Sequence, residues 1–317
     1  MYKIKKLDLK SLPSTEGYVD LFSSVWWLNI YGDMLNVFGV YSESNELIAY
    51  YGFFKRNIGP VNIIKALPFS QTIPFKILKL PDNKYNAAST TKKILSFIAK
   101  RLKSVNTIIV LAFNPTYIDL QPFIWEKYKV TVRYTYQIQL GQNINEIMKN
   151  MSTSKRRDIS KAKRDSLVCK SCLDTELISK LAISTFVDKK KNVDINLLKR
   201  IIENTILLNR VICRVCYKDE SVIAMSFCVY DEMSAYYLFG WHTDEYNHQG
   251  AGALSILGCI EDSIALKLKK FDFEGSMIPQ IESYFRGFGG QIVPYYVVSY
   301  GPILYELFLK FFKREQF

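Results

Sequence analysis

The sequence predicts an α/β protein with mixed sheets, built as two similar halves. Its 317 residues are enough for two domains. Half of them are hydrophobic and 14% are aromatic, so two cores can be filled. Both halves show the same order, which is strand, helix, a run of antiparallel-type strands, helix, strand, helix and strand. Tight hairpin signals between some strands favour a mixed sheet over a purely parallel one.

The periodicity of apolar residues defines the individual elements. In the first half we expect helices at 25–28 and 87–102, the latter capped by Ser89 or Thr90, a broken helix at 115–128, and strands at 2–7, 35–41, 47–54, 61–67, 107–113 and 130–140. In the second half we expect helices at 144–163, 176–186, 195–208, 254–268, 278–285 and from Pro302, and strands at 167–173, 211–217, 222–229, 235–241, 270–273 and 291–299.

The predicted domains are residues 1–141 and 142–317, with a soft boundary near Gly141 and any active site concentrated in the second domain. The opening residues lack the apolar core of a signal peptide, and no apolar run approaches the roughly 20 residues that span a bilayer. These features lead us to expect a soluble, cytoplasmic protein.

The formal charge of +12 comes from 42 Lys and Arg against 30 Asp and Glu. Such an excess favours an anionic partner: a nucleotide-like cofactor, RNA or an acidic membrane surface. A generally basic surface explains the same number equally well.

Two close cysteine pairs, Cys169/Cys172 and Cys213/Cys216, are the only pattern that suggests a metal. About 40 residues separate the pairs, against the usual spacing of about 15–20 for a zinc ribbon. Residues 211–217 also read as a strand, where positions i and i+3 point to opposite faces. We therefore expect reduced thiols and no metal site.

A loop with two glycines, residues 246–253, lies between a predicted strand and a predicted helix. Main-chain N–H groups at Gly250, Ala251 and Gly252 could converge on a pyrophosphate at the helix N-terminus. An ordinary flexible connection is the alternative, since the loop lacks the third glycine of a dinucleotide fingerprint and the Gly-Lys-Ser/Thr of a P-loop.

Two carboxylates, Asp272 and Glu274, lie two residues apart at the end of a predicted strand and would share one face. Carboxylates at such a strand end can orient or deprotonate an amine. The turn that follows leads into a short helix that presents Arg286. A polar strand terminus with a solvated arginine is the alternative.

The segment 149–170 is strongly basic, and Ser152 is a natural helix cap within it. Its helix would present Lys155, Arg156, Arg157 and Lys161 to phosphate groups. A solvated charged face is the alternative.

Taken in order, these segments resemble the FemABX and GNAT-related acyltransferase superfamily, in its double-domain branch. The resemblance spans nearly the whole chain, and its most specific motifs are the last two. The motifs are Trp26-Trp-Leu28, Pro122-Phe-Ile-Trp125, Arg133-Tyr-Thr-Tyr136, the basic stretch 154–163, Phe271-Asp-Phe-Glu-Gly-Ser276 and Phe285-Arg-Gly-Phe-Gly289.

The resemblance implies two tandem GNAT-like domains, with catalysis in or beside the second. It places Arg286 where the family has a basic residue that stabilises charge at the reacting carbonyl or on a donor phosphate. It implies that Lys155, Arg156, Arg157 and Lys161 hold phosphates. Acyl-CoA is then a co-substrate, with aminoacyl-tRNA as the alternative donor and no tightly bound cofactor.

Two positions depart from the family pattern. Asn247 stands where the GNAT pyrophosphate loop usually begins with Arg or Gln. Many GNAT enzymes have a tyrosine acid where this chain has Ser283, so Tyr284 is one residue out of register.

The function expected is N-acyl transfer to a primary amine of a small molecule, a glycan or a cell-envelope precursor. Strand N–H groups at 236–241 would bind the oxyanion, Asp272 or Glu274 would take the proton, and Phe239, Trp241 and Tyr284 would wall the cleft. The alternatives are an aminoacyl-tRNA-dependent transferase that binds tRNA, and a non-catalytic binding protein. Weak membrane-surface association through residues 305–314 is a further alternative; DNA is not an expected partner.

Overall fold

The computed structural model describes residues 2–12, 18–103, 107–141, 143–188, 193–243, 248–275 and 277–303, together with residues 305, 307 and 311. The chain divides into two compact units. The first comprises Met1–Arg133 and Pro294–Phe317, and the second comprises Tyr134–Val293.

The elements follow the predicted order closely. Up to the start of the second unit they are β1 (Lys3–Lys6), α1 (Val25–Asn29), β2 (Leu35–Tyr41), β3 (Leu47–Ile58), β4 (Val61–Lys65), β5 (Phe75–Ile77), α2 (Lys84–Leu102), β6 (Thr107–Ala112), α3 (Gln121–Trp125) and β7 (Lys129–Gln139). They continue with α4 (Ile144–Asn150), α5 (Thr153–Arg164), β8 (Val168–Ser171), α6 (Thr175–Asp188), α7 (Ile195–Leu207), β9 (Val211–Lys218), β10 (Ser221–Tyr230), β11 (Ser234–His242), α8 (Ala251–Ala265), β12 (Lys270–Asp272), α9 (Pro279–Arg286) and β13 (Gln291–Tyr300).

The two units repeat one arrangement. In the first, β2, β3 and β4 form an antiparallel run, α2 follows, and β6 then pairs in parallel with β4. In the second, β9, β10 and β11 form the antiparallel run, α8 follows, and β12 pairs in parallel with β11. The predicted mixed sheets and repeated architecture are confirmed.

Each unit is completed by a strand that sequence order would assign to the other. The end of β7 pairs antiparallel with β12 in the second unit, and the end of β13 pairs antiparallel with β6 in the first. The compact units therefore change at Arg133/Tyr134 and at Val293/Pro294 rather than at 141/142. Residues 294–317 belong with the first unit, because β13 extends its sheet.

Some predictions differ from the structure in detail. The short strand β5 was missed, and α3 is the only helical part of 115–128. The basic segment forms two helices, α4 and α5, and Ser152 caps α5 as predicted by accepting from the Lys155 N–H at 3.2 Å. The predicted helix from Pro302 falls largely outside the described residues.

The cores explain why these segments fold as they do. The first unit packs one face of its sheet against the apolar side of α2, with Ile94, Leu95 and Ile98 buried. The second unit wraps its sheet around α8, a helix that is apolar on nearly every side and accordingly buried. Among the described residues, no helix is both long and apolar enough to span a bilayer.

All six cysteines are free thiols, and four of them are buried. Cys169 and Cys216 are direct neighbours across β8 and β9, which identifies both segments as strands rather than zinc knuckles. In the described part of the chain, no three His, Cys, Asp or Glu side chains cluster as metal ligands do.

The cap of α2 gives a direct stability prediction. The Asn83 side chain accepts from the Asn86 N–H at 3.1 Å, so neither Ser89 nor Thr90 is the cap. Asn83→Ala should lower the free energy of unfolding by about 1 kcal/mol, because it removes the only side-chain acceptor described at this helix end. Ser89→Ala is the control and should change it by less than about 0.5 kcal/mol. Urea unfolding of both variants measures the difference; equal losses would show that Asn83 does not cap the helix.

Candidate active site

Strand β11 has one edge that is open over most of its length. On one side it pairs with β10 as far as His242, but on the other it pairs with β12 only over Ser234–Tyr236. The register against β10 also shifts, so that Leu238 is an extra residue in β11. A bulge of this kind leaves main-chain groups outside the ladder. In the described part of the chain, no strand pairs with this edge beyond Tyr236, so sheet pairing does not use its N–H and C=O groups.

A cavity of about 610 Å³ within the second unit follows this open edge. Its walls come from β11, the first turn of α8, the turn after β12, and helices α6 and α9. The predicted site residues that line it are Phe239, Trp241, Gly252, Glu274 and Tyr284. This volume is within the range of small-molecule sites in proteins.

Aromatic and α6 side chains shape the cavity wall. Phe239 is buried and stacks on Phe227 with ring centroids 4.6 Å apart, so it is held rigidly. The Thr185 hydroxyl of α6 lies 3.1 Å from the Leu181 carbonyl oxygen and 3.2 Å from that of Gly240, so its one hydrogen is shared between its own helix and the open edge. Trp241 lines the same wall.

Asp272 ends β12 and shapes the turn after it. Its buried carboxylate accepts from the Thr135 hydroxyl at 2.5 Å, the Gln137 amide at 2.7 Å and the Glu274 N–H at 2.8 Å. Glu274 adopts φ +60°, a left-handed conformation that is uncommon for residues other than glycine. The prediction that both carboxylates share one face of a strand is therefore wrong, because the strand ends at Asp272.

The two carboxylates also differ in what they can reach. Glu274 lines the cavity. Asp272 does not, and both of its carboxylate oxygens accept hydrogen bonds. Burial, together with the charge of Asp272, raises the pKa of Glu274 well above its usual value. Burial also raises the pKa of Asp272, although its three hydrogen bonds oppose that shift. Glu274 is thus the carboxylate placed to exchange a proton with a ligand.

Tyr284 of α9 lines the cavity. Its hydroxyl oxygen lies beside Gly252, where an added Cβ would be 3.2 Å away. Burial raises the pKa of this phenol, so it is a neutral donor at physiological pH. The Lys155 ammonium lies 3.6 Å from the centroid of the Tyr284 ring and 4.9 Å from that of Phe288.

Lys155 is therefore buried, whereas the sequence analysis predicted that it would lie on a phosphate-binding surface. Its removal from water lowers its pKa, and Asp158, 4.0 Å away, partly restores it. The amphipathic stem packs among aromatic rings because this position on α5 faces α9. Lys155 fixes the Tyr284 ring rather than a surface phosphate.

The other basic residues of α5 lie where solvent reaches them. Arg156 donates to the Lys149 carbonyl at 2.8 Å, whereas Arg157 and Lys161 are exposed. Arg286 is also exposed, and it pairs with Glu282 at 2.9 Å. It does not line the cavity, and the structure does not bring it together with Asp272 and Gly250 around a common ligand site.

The N-terminus of α8 is held by α5. Gly250 is buried against the Asp158 carbonyl, and any Cβ there would overlap that oxygen. His248 bridges the two helices, since its Nδ1 accepts from the Gly250 N–H at 3.1 Å and its Nε2 lies 3.1 Å from Asp165. The glycine thus has a packing reason that sequence inspection did not identify.

This arrangement limits what the helix end can bind. The Gly250 N–H is taken by His248, and the Ala251 N–H donates to the His248 carbonyl at 3.1 Å. No described hydrogen bond uses the Gly252 N–H, and Gly252 lines the cavity. Asn247 lies outside the described residues. A phosphate contact is therefore supported at Gly252, but not at Gly250 or Ala251.

A larger groove of about 900 Å³ follows α2 in the first unit. Two of its lysines are already paired, Lys92 with Asp119 at 3.1 Å and Lys100 with Glu126 at 3.5 Å. Its lining comes mainly from α2 and includes neither Glu274 nor the open edge of β11. The cavity beside β11 is the better candidate for chemistry.

Comparison with known proteins agrees with this location. Residues 207–285 match the family model of the acetyltransferase (GNAT) domain, a segment that runs from the end of α7 to α9. These residues, which lie within the second half of the chain, are similar to a GNAT-type domain. The resemblance inferred from its motifs is confirmed, and no curated protein matches the sequence significantly.

Solved structures extend the likeness to both halves. FemX superposes with a TM-score of 0.65 at 11% identity, covering 96% of this chain and 99% of FemX. A tandem GNAT protein from the clavulanic acid biosynthesis pathway gives 0.54 at 8% identity, with 94% and 98% covered. L-PGS from Bacillus licheniformis gives 0.52 at 11% identity, with 86% and 85% covered. At these identities the fold is shared: two GNAT-like domains in tandem.

The raised pKa of Glu274 predicts how stability depends on pH. The folded state holds this proton to a higher pH than the unfolded chain, so stability falls as pH rises above the unfolded value of about 4.5. Glu274→Gln should therefore raise the melting temperature at pH 7–8, and this gain should shrink towards pH 4.

Glu282 provides a control of opposite sign. Hydrogen bonds from Tyr136 and Arg286 lower the pKa of Glu282 in the folded state. Its contribution to stability is therefore present at neutral pH and is lost as the pH falls through that folded-state pKa. Glu282→Gln should lower the melting temperature at pH 7 and have little effect in acid. Thermal melts across pH 4–8 test both; a Glu274→Gln variant that is less stable than wild type at pH 8 contradicts the assignment.

Proposed function

We propose that this protein is an N-acyltransferase that moves an acyl group from acyl-CoA to a primary amine. The observation that carries the proposal is the convergence of three features on one cavity: the open edge of β11, the Glu274 carboxyl with its raised pKa, and the Tyr284 phenol. Acyl transfer to nitrogen needs these parts and little else.

The open edge of β11 supplies the electrostatic part of the reaction. Attack on a thioester carbonyl places negative charge on its oxygen, and main-chain N–H groups fixed beside that oxygen stabilise it. The bulge at Leu238 leaves such groups outside the ladder along the cavity wall. Phe239 and Trp241 form the neighbouring apolar wall, which limits access of water.

Glu274 and Tyr284 carry the protons. An incoming ammonium ion gives one proton to the Glu274 carboxylate, and the neutral nitrogen attacks the carbonyl carbon. The new C–N bond forms as the C–S bond breaks, and the departing thiolate takes the Tyr284 hydroxyl proton. Tyr284 regains a proton from the amide-forming nitrogen through water, so each turnover releases one proton to solvent.

The first turn of α8, in the wall of the same cavity, supports acyl-CoA as the acyl donor. Gly252, in the first turn of α8, lines the cavity, no described hydrogen bond uses its N–H, and the helix dipole favours an anion there. A pyrophosphate of acyl-CoA bound at this turn would bring its thioester towards β11. The GNAT-type family match over residues 207–285 also favours an acyl-CoA donor. The acceptor is an amine of a small molecule, a glycan or a cell-envelope precursor.

An assay of CoA release tests the proposal. Purified protein is incubated with acetyl-CoA and a panel of primary amines, and free thiol is measured with and without each amine. We expect amine-dependent thiol release. Glu274→Gln should lower kcat by about 10²–10⁴-fold, and Tyr284→Phe should lower it by about 10²-fold. Glu261→Gln, an exposed carboxylate on α8, is the matched control and should leave kcat unchanged.

Two outcomes oppose the proposal. One is the absence of both thiol release and calorimetric CoA binding in the wild type, which would leave a non-catalytic binding protein as the better description. The other is a Glu274→Gln variant with wild-type kcat. The role that the resemblance implies for Arg286 stays a prediction, and Arg286→Ala in the same assay tests it.

The exposed cations of α5 favour aminoacyl-tRNA as a second candidate donor. Arg157 and Lys161 lie one turn apart on the solvent side of the helix. If they contact tRNA phosphates, the double variant Arg157→Glu/Lys161→Glu should weaken binding and reduce the slope of log K against log salt by about 1.5. Lys180→Glu/Lys199→Glu makes the same change of net charge on α6 and α7 and serves as control. Equal effects of the two pairs would show that only net charge matters.

A further inference from the structure

Four of the six thiols face one another in two pairs across strands β8 and β9. Cys169 is the register partner of Cys216 in this antiparallel pair of strands. The same alignment continues one residue beyond β8, because the Cys172 N–H donates to the Cys213 carbonyl at 3.0 Å. The sheet therefore brings together cysteines that are distant in the sequence, and all four are free thiols.

The two pairs occupy different kinds of position in the ladder. Opposed residues of antiparallel strands alternate between hydrogen-bonded pairs, with Cα atoms about 5.5 Å apart, and non-hydrogen-bonded pairs, with Cα atoms about 4.5 Å apart. The main-chain bond makes Cys172/Cys213 a hydrogen-bonded pair. Cys169 lies three residues earlier, so the alternation makes Cys169/Cys216 a non-hydrogen-bonded pair.

This difference decides which pair suits a disulfide. The bond needs Cα atoms about 4.4–6.8 Å apart and Cβ atoms about 3.5–4.5 Å apart. Both pairs meet the first condition. The second favours Cys169/Cys216, because side chains directly opposite each other are closer in a non-hydrogen-bonded pair.

The side chains of this pair also lie on one side of the sheet. Cys216 belongs to the buried core that includes the apolar side chains of α8, and Cys169 packs against the same core. Ile212, which shares a face of β9 with Cys216, belongs to it as well. The two sulfur atoms are therefore held on the same face of neighbouring strands.

Access to the pair is one-sided. In the described part of the chain, β8 is the outermost strand of the sheet and pairs only with β9. Cys169 on this edge strand is partly exposed, whereas Cys216 is fully buried. Thiol–disulfide exchange uses such an arrangement: an oxidant reaches the accessible sulfur first, and the neighbouring sulfur then displaces it.

We propose that Cys169 and Cys216 form an intramolecular disulfide when the protein meets a disulfide oxidant such as glutathione disulfide. The Cys169 thiol loses its proton and attacks one sulfur of the oxidant, so that a mixed disulfide forms and one glutathione leaves. Cys216 then loses its proton and attacks the Cys169 sulfur, and the second glutathione leaves. Each departing glutathione takes up one proton. Two protein thiols are oxidised, and one glutathione disulfide is reduced to two thiols.

The cross-link fixes an edge of the second unit that few hydrogen bonds hold, since β8 has only four residues. Closing the loop between the two cysteines restricts the unfolded chain, so the oxidised protein is the more stable form. The connection before β8 carries Asp165, which lies 3.1 Å from His248 at the entry to α8. The oxidisable pair thus lies on the segment that contacts this helix end.

Peptide mapping of the wild-type protein tests the pairing. Folded protein is incubated with glutathione disulfide, remaining thiols are alkylated, and the digest is analysed by mass spectrometry without reduction. We expect the loss of two of the six thiols and a peptide pair linked through Cys169 and Cys216. The melting temperature should rise by about 5–10 °C, and dithiothreitol should reverse the rise. The absence of a linked pair, or a link between any other two cysteines as the main product, overturns the proposal.

Single substitutions separate the roles of the two sulfur atoms. Cys216→Ala removes the second nucleophile, so glutathione should stay attached at Cys169. Cys169→Ser should show neither the link nor the rise in melting temperature. Cys172→Ser is the matched control, because Cys172 is also partly exposed and opposite a buried cysteine, but in a hydrogen-bonded pair.

The control variant should form the Cys169–Cys216 link in wild-type yield. A Cys172→Ser variant that loses the link, or a Cys216→Ala variant that carries no glutathione at Cys169, contradicts the assigned roles. None of these measurements uses CoA or an amine, so they do not depend on the acyltransferase proposal.

Discussion

The buried carboxylate of Asp272 is the constraint on which the candidate site depends. A carboxylate this deep is unfavourable unless donors surround it, and Thr135, Gln137 and the Glu274 N–H provide them. Those bonds end β12 at Asp272 and turn Glu274 into a left-handed conformation. Because β12 stops there, the rest of β11 has no neighbouring strand on that side. The cavity lies along this open edge of β11. The buried Asp272 carboxylate thus helps to hold Glu274, whose carboxyl group lines the cavity.

Much of the fold could be predicted from local pattern. Apolar runs separated by turn residues predicted β9, β10 and β11, alternating apolar residues predicted β7, and a helical period predicted α2. Propensity does not reveal which strands pair, and so the exchange of β7 and β13 between the units could not be anticipated. The cap of α2 was also misplaced, because Asn83 precedes a polar first turn whose helical period is weak.

The site was predicted in part, for reasons that particular residues make clear. Glu274, Tyr284, Gly252, Phe239 and Trp241 do line one cavity. Lys155 was misjudged because a basic run suggests solvent, whereas its position on α5 turns it towards the rings of α9. Tyr237 also lines the cavity and was missed altogether. It lies next to the bulge at Leu238, which has no local sequence signal.

The reciprocal strand exchange has a consequence for biosynthesis. The β6 edge of the first unit is covered only when residues 297–300 arrive, after nearly the whole of the second unit has been made. A nascent chain must therefore carry an unpaired strand edge through most of its translation, and such edges promote aggregation. The two units are also obliged to mature together, since neither sheet is complete while the other half of the polypeptide is missing.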